Sequence, residues 1–150
     1  MSNTNNQPVE TLNLDLYAAQ TAQAIIDAIK TSEAQTAENL ITKALGVLQE
    51  NGVYACALFL YAARSADQET AEKVRNKLLQ MSEPLVLPPE DTKERKEARD
   101  WKEGLRFVSS HVCSDLDSLL LVRQVWEQTL IYARYGAKAW GVNPAAKRKN

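Results

Sequence analysis

The sequence predicts an all-α fold, a compact bundle of about six helices, on three observations. Apolar residues recur at spacings of three and four along most of the chain, no Val/Ile/Thr-rich run alternates with period two, and no Asn-Gly pair joins two such runs. Of the 150 residues, 45% are apolar and 25% charged, with only five Gly and five Pro, the composition of a single domain with its own core. No repeat of about 33 or 34 residues is evident, so a stacked solenoid is not the expected arrangement.

The expected domain runs over 14–141, between a polar, disordered tail at 1–13 and a basic tail at 142–150. The first stretch lacks the basic and apolar regions of a secretory signal, which points to the cytoplasm. In the first helix Leu14, Ala18, Ala22, Ile25 and Ile29 share one face, and the helix ends near Lys30. A second starts at Ser32, with Gln35 as its capping-box partner, and turns Leu40, Ile41, Ala44, Leu45 and Leu48 inward. Asn51 and Gly52 close it, since both residue types tolerate the left-handed conformation.

Residues 53–64 are apolar around the whole helical circumference, so this element is expected at the centre, covered on all sides. The unbroken apolar run there covers 11 residues, short of the roughly 20 a membrane span needs. A fourth helix opens at Asp67, shows Ala71, Val74, Leu78 and Met81 to the core, and is expected to stop before Pro84, leaving 83–89 as a connector. Between 90 and 103 all but Thr92, Ala98 and Trp101 are charged, which predicts a solvated helix with i,i+4 pairs. Its buried edge reads Ala98, Trp101, Leu105, Val108 and Val112. The last and longest helix, 115–140, takes Ser114 and Asp117 as a capping box and Leu119, Val122, Trp126, Leu130, Ala133, Ala137 and Trp140 as its seam; Gly141 and Pro144 end it.

Charge is uneven. Residues 1–63 hold two Lys and six acids, net −4, and 64–150 hold 16 Lys or Arg against 13 acids, net +3, within an overall −1. That balance excludes a strongly cationic duplex binder and permits a basic face on the C-terminal half. Catalytic patterns are missing. One His and two Cys, without paired spacing, do not make a zinc site. The run from His111 to Cys113 reads as a helix junction rather than a nucleophile with its base, and no phosphate-binding glycine loop occurs. The acid pairs Glu90/Asp91 and Asp115/Asp117 lie at helix starts, where carboxylates favour the positive end of the dipole. Tyr17, Tyr54, Phe59, Tyr61, Trp126 and Trp140 fall on apolar faces and read as packing. On the long helix Arg123, Glu127, Arg134 and Lys138 mark one face, flanked by Tyr132 and Tyr135. Arginines 11 residues apart return to nearly the same side about three turns on, where they could meet backbone phosphates, although a solvated face explains the same pattern and is the first reading of it taken alone.

Two segments carry a family resemblance. Residues 41–60, with the Asn51-Gly52 break between an amphipathic and an apolar helix, resemble the small all-helical subunit of the type III-B CRISPR effector, the Cmr complex. The closing helix, 115–140, is similar to that subunit's C-terminal helix, and 101–112 fits the helix before it. The resemblance implies a non-catalytic subunit, with no cofactor or metal, that stacks in copies beside the crRNA-carrying backbone and helps hold target RNA in antiviral defence. Its partners would be other effector subunits, copies of itself, and crRNA and target RNA through their backbones, with no membrane. It implies RNA contacts at Lys43 and Arg134; helix position adds Arg64, Arg123 and Lys138. Two other readings stay open: a helical adaptor that binds protein and not RNA, and a small hydrolase using His111 and Cys113.

Overall fold

The computed structural model describes residues 13–143. Residues 1–12 and 144–150, which hold most of the two expected tails, lie outside the described residues. Every regular element among the described residues is helical. Among the described residues six α-helices follow one another: α1 Leu14–Ala28, α2 Ala34–Asn51, α3 Val53–Ala62, α4 Ala66–Val86, α5 Trp101–Phe107 and α6 Leu116–Val142. A single 3-10 turn, Thr31–Glu33, precedes α2, and a π-helical turn, Val108–Val112, continues α5.

The long helix α6 is the spine, packing chiefly on α2 and α1. Its seam follows the expected one, with Val122, Trp126, Leu130, Ala133 and Ala137 at most 1% exposed and Trp140 buried, except that Leu119 is only half-buried. They meet Ile25 from α1 and Leu40, Ile41, Ala44 and Leu48 from α2. At one end of the α2–α6 contact Gln49 reaches Arg123 and Glu127; at the other, Ser32 and Glu38 share a cleft with Lys138, so the two helices run antiparallel. Trp126 buries its ring and satisfies its indole N–H on Ser82 Oγ (2.7 Å) and the Leu78 carbonyl (3.2 Å), pinning α4 to the spine. A buried indole needs such a partner, so this contact fixes position as well as burying area.

Local chemistry departs from the expected caps in instructive ways. Asn13, expected in the tail, caps α1 by accepting from the Leu16 N–H at 3.0 Å. Ser32 and Gln35 form no capping box: the 3-10 turn intervenes, Glu33 occupies the cap position, and the Gln35 amide donates to Asn39 instead. At α6 the cap is Asp115, not Ser114; its carboxylate accepts from the N–H and hydroxyl of Ser118, both at 2.9 Å. Ser114 turns back to donate to the Ser110 carbonyl. The Asn51-Gly52 break falls where expected: Gly52 has φ 97°, and its N–H closes α2 on the Leu48 carbonyl. The last helix runs through Gly141 to Val142, with Asn143 as its cap.

Three expectations about larger elements are corrected. The apolar helix α3 ends at Ala62 and is not covered on all sides: Val53, Cys56, Ala57 and Leu60 are buried, while Tyr54 and Leu58 are 42% and 47% exposed. Helix α4 does not stop before Pro84 but continues to Val86. A proline this near the C-terminus removes one helical hydrogen bond, and the turn around it is held from outside by Trp126 on Ser82 and by partners of Glu83. The expected charged helix at 90–103 is absent. The chain from Leu87 to Asp100 has no regular helix, and α5 starts only at Trp101.

That segment is held by polar contacts. Arg99, 6% exposed, donates to the Glu83 carboxylate at 3.1 Å and to the Glu94 carbonyl, and its guanidinium lies 4.3 Å from the centre of the Phe107 ring. Glu83 also accepts from the Lys96 N–H at 2.9 Å. Asp100 then opens α5 with a reciprocal capping box to Glu103. With the helix starting here, Ala98 and Trp101 cannot lie on a buried edge: both are exposed, Trp101 by 58%, whereas Leu105, Val108 and Val112 are buried as expected.

Candidate functional site

The five basic residues expected to meet RNA do not form one patch. Lys43 stands exposed midway along α2. On α6, Arg123, Arg134 and Lys138 lie along the side that adjoins α2, spread over about 22 Å at 1.5 Å per residue. Arg64 is exposed beyond the end of α3, in the link to α4.

Their surroundings separate them by role. The Arg123 guanidinium donates at 2.8 Å to the Gln49 carbonyl, one of the last-turn carbonyls of α2 that lack a helical partner. Glu127 accepts from the Gln49 side chain at 2.9 Å, so this end of the row is a capped helix junction. Arg134 lies 5.6 Å from the ring centre of exposed Tyr135, a cation held against an aromatic face. Lys138 is exposed and borders an open cleft of about 530 Å3 with Ser32, Gln35 and Glu38. Lys43, Arg64 and Lys138 are therefore exposed, Arg134 is half-buried beside Tyr135, and Arg123 is tied to the end of α2.

The exposed apolar side chains form two helical pairs. Tyr54 and Leu58 are i,i+4 neighbours on α3, and Leu116 and Leu120 are i,i+4 neighbours at the start of α6, 67% and 55% exposed. Leu16, Tyr135 and Val142 are exposed elsewhere on α1 and α6.

The thiol and imidazole do not come together as a reactive pair. His111 packs on Phe107, ring centres 5.4 Å apart, and Cys113 is an exposed free thiol whose pKa is pushed up by partial burial. Cys56 is buried beneath α2, and burial raises it to about 12, so it is a protonated core residue. No three His, Cys, Asp or Glu side chains cluster as a metal site among the described residues, and no helix there is long and apolar enough to cross a membrane.

Sequence reasoning missed the polar cleft beside α5. Arg99 and Arg106 line it with Ser110 and His111, in a space of about 240 Å3. The one legible signal was Asp100-x-x-Glu103, which marks a helix start and thus puts Arg99 outside it. Compared with protein-family models, curated proteins and solved structures, the chain matches none.

Proposed function

We propose that this chain is a non-catalytic small subunit of a type III CRISPR effector ribonucleoprotein, stacking in copies along the crRNA-carrying backbone and helping to hold target RNA. The observation that carries the reading is that Lys43 and Lys138 are exposed on two antiparallel helices, with Arg134 half-buried beside exposed Tyr135. Cations spaced along rigid helices suit successive backbone phosphates and need no pocket. Exposed apolar pairs on α3 and α6 supply surface for contacts between subunits. A few phosphate contacts give weak, salt-sensitive binding that becomes useful once adjacent subunits hold the RNA in place.

The test is the double variant Arg134→Glu/Lys138→Glu. The expected outcome is weaker retention of single-stranded RNA and a log–log salt slope shallower by about 0.7 for each phosphate no longer neutralised, with unchanged helicity. Unchanged binding and slope would remove both residues from the interface. A second reading, a helical adaptor for a protein partner, rests on the exposed Tyr54/Leu58 and Leu116/Leu120 pairs. Co-purification from the native host separates the two: effector subunits with RNA support the first, a protein partner free of RNA the second.

A further inference from the structure

We propose that the cleft beside α5 is a binding site for one singly charged phosphate diester group. The cleft lies on a different part of the chain from the α2–α6 row and does not depend on the role proposed above.

Four observations meet there. First, Arg99 is 6% exposed, lines the cleft, and has an Nε with no hydrogen-bond partner among the described residues. A buried N–H left without an acceptor is costly, and an oxygen-rich ligand is one way to satisfy it. Second, Arg106 and Ser110 stand one helical turn apart on the same wall, and Arg106 joins no ion pair among the described residues. With Lys96 on the facing loop, the walls offer donors from two sides, the arrangement a tetrahedral oxyanion needs. Third, the wall itself includes the π-helical turn that carries His111, and such turns are frequent at functional sites. Fourth, Phe107, 3% exposed and packed between Arg99 and His111, forms a rigid apolar floor that holds these two side chains at the cleft.

Charge sets the class of ligand. Lys96 is already paired with Glu103 at 3.0 Å and Arg99 with Glu83 at 3.1 Å, and Glu94 also borders the cleft. Two carboxylates on the rim repel a second negative charge, so a monoanion with ester groups fits better than a phosphate dianion. The volume, about 240 Å3, is several times the roughly 30 Å3 share of one water and admits a phosphate with its first substituents.

The experiment titrates the full chain with dimethyl phosphate and follows the Arg99 Nε–H and the Ser110 and His111 amides by NMR. Saturable shifts of these signals are expected, with Kd in the millimolar range. Arg106→Gln should weaken binding about tenfold and Ser110→Ala by less, both without change in helicity, because both side chains sit at the exposed rim. Inorganic phosphate at pH 8, mostly the dianion, should bind more weakly than the diester. No saturable shift at tens of millimolar dimethyl phosphate, or a shift that Arg106→Gln leaves unaltered, overturns the site; equal binding of the dianion overturns its charge selectivity. A short single-stranded RNA that moves the same signals assigns the diester to a nucleic-acid strand, while movement by dimethyl phosphate alone assigns it to a small diester, and both sustain the site.

Discussion

The α2–α6 contact and the stretch from Leu87 to Asp100 hold the backbone in place by opposite means. Between α2 and α6, two regular helices bury Leu40, Ile41, Ala44 and Leu48 against Trp126, Leu130 and Ala133, and many interchangeable contacts share the work. From Leu87 to Asp100 there is no regular helix, and position depends on a few polar contacts centred on one buried pair, Glu83–Arg99, with Tyr61 on the Arg99 carbonyl and Gln80 on the Glu97 carbonyl. A distributed apolar contact degrades in increments when it is cut. A single polar anchor fails at once, because each partner left behind is a buried charge without compensation.

The sharpest way to break the comparison is Arg99→Ala. It strands Glu83, 6% exposed, and removes the guanidinium from the Phe107 face. The expected loss is about 3–5 kcal/mol in urea denaturation, with hydrogen exchange rising first between 87 and 112 and later in α6. The double variant Glu83→Gln/Arg99→Met, which removes both charges, should recover a large part of it. A single-variant loss under about 1 kcal/mol, or uniform acceleration of exchange, would show that the anchor is not what holds the segment.

Gly104→Ala comes next. A Cβ built at Gly104 would stand 2.0 Å from the Tyr61 hydroxyl and 2.6 Å from Cζ, and Tyr61 is fixed by donating to the Arg99 carbonyl at 2.8 Å and by Arg75 stacked 4.2 Å from its ring centre. The ring has to move, and with it the contact that ties α3 to the polar segment. A cost of about 1–3 kcal/mol is expected from thermal unfolding. In a Tyr61→Ala background the same substitution should cost much less, and equal costs in both backgrounds would place the strain elsewhere.

The same contrast decides what was legible in the sequence. Where burial rests on apolar periodicity, pattern and structure agree: Ala18, Ala22, Ile25, the α2 face from Leu40 to Leu48 and the seam of α6 from Val122 to Trp140 are buried, and only Leu119 at the start of that seam is half-buried. The Asn51-Gly52 break was equally clear, because only a few residue types adopt the φ that Gly52 takes. The polar segment was not legible. Alternating charge at 90–103 satisfies the pattern for i,i+4 pairs, yet the partner that matters for Arg99 is Glu83, 16 residues away on another helix. Pro84 misled for a related reason, since a rule about the helix interior does not fix where a helix clamped by Trp126 and Arg99 must end. Of the site residues, Lys43, Arg134 and Lys138 lie open to solvent or on an exposed aromatic ring. The use of Arg123 as a cap on α2 depends on a contact across 74 positions, which no local spacing reveals.

A smaller effect lies at the junction of α3 and α4. Ser65 has φ 57° and ψ −128°, a conformation that side-chain-bearing residues rarely adopt and that costs about 1–3 kcal/mol. Glycine removes that strain but adds about 0.5–1 kcal/mol of chain entropy in the unfolded state. Ser65→Gly should therefore stabilise by about 0.5–1 kcal/mol, read as a raised midpoint in urea. Neutral or lower stability would mean that the serine side chain supports the turn.

The smallest effect expected is in the pH dependence, and it links the two regions through their helix starts. Hydrogen bonds from the backbone and hydroxyl of Ser118 hold the Asp115 carboxyl below its ordinary 3.8, and Lys96, with the Asp100 N–H, holds Glu103 below its ordinary 4.5. Both are depressed in the fold, so their contribution is complete above about pH 5 and is lost as pH falls through the lowered folded values. Asp115→Asn should flatten the loss of stability between about pH 5 and 2, and Glu103→Gln should do the same while loosening the start of α5. Since both groups face solvent, salt should shrink the Glu103 part, which depends on a charge, more than the Asp115 part, which depends on neutral donors. Equal salt sensitivity in the two variants would mean that the polar segment and the spine start their helices in the same way.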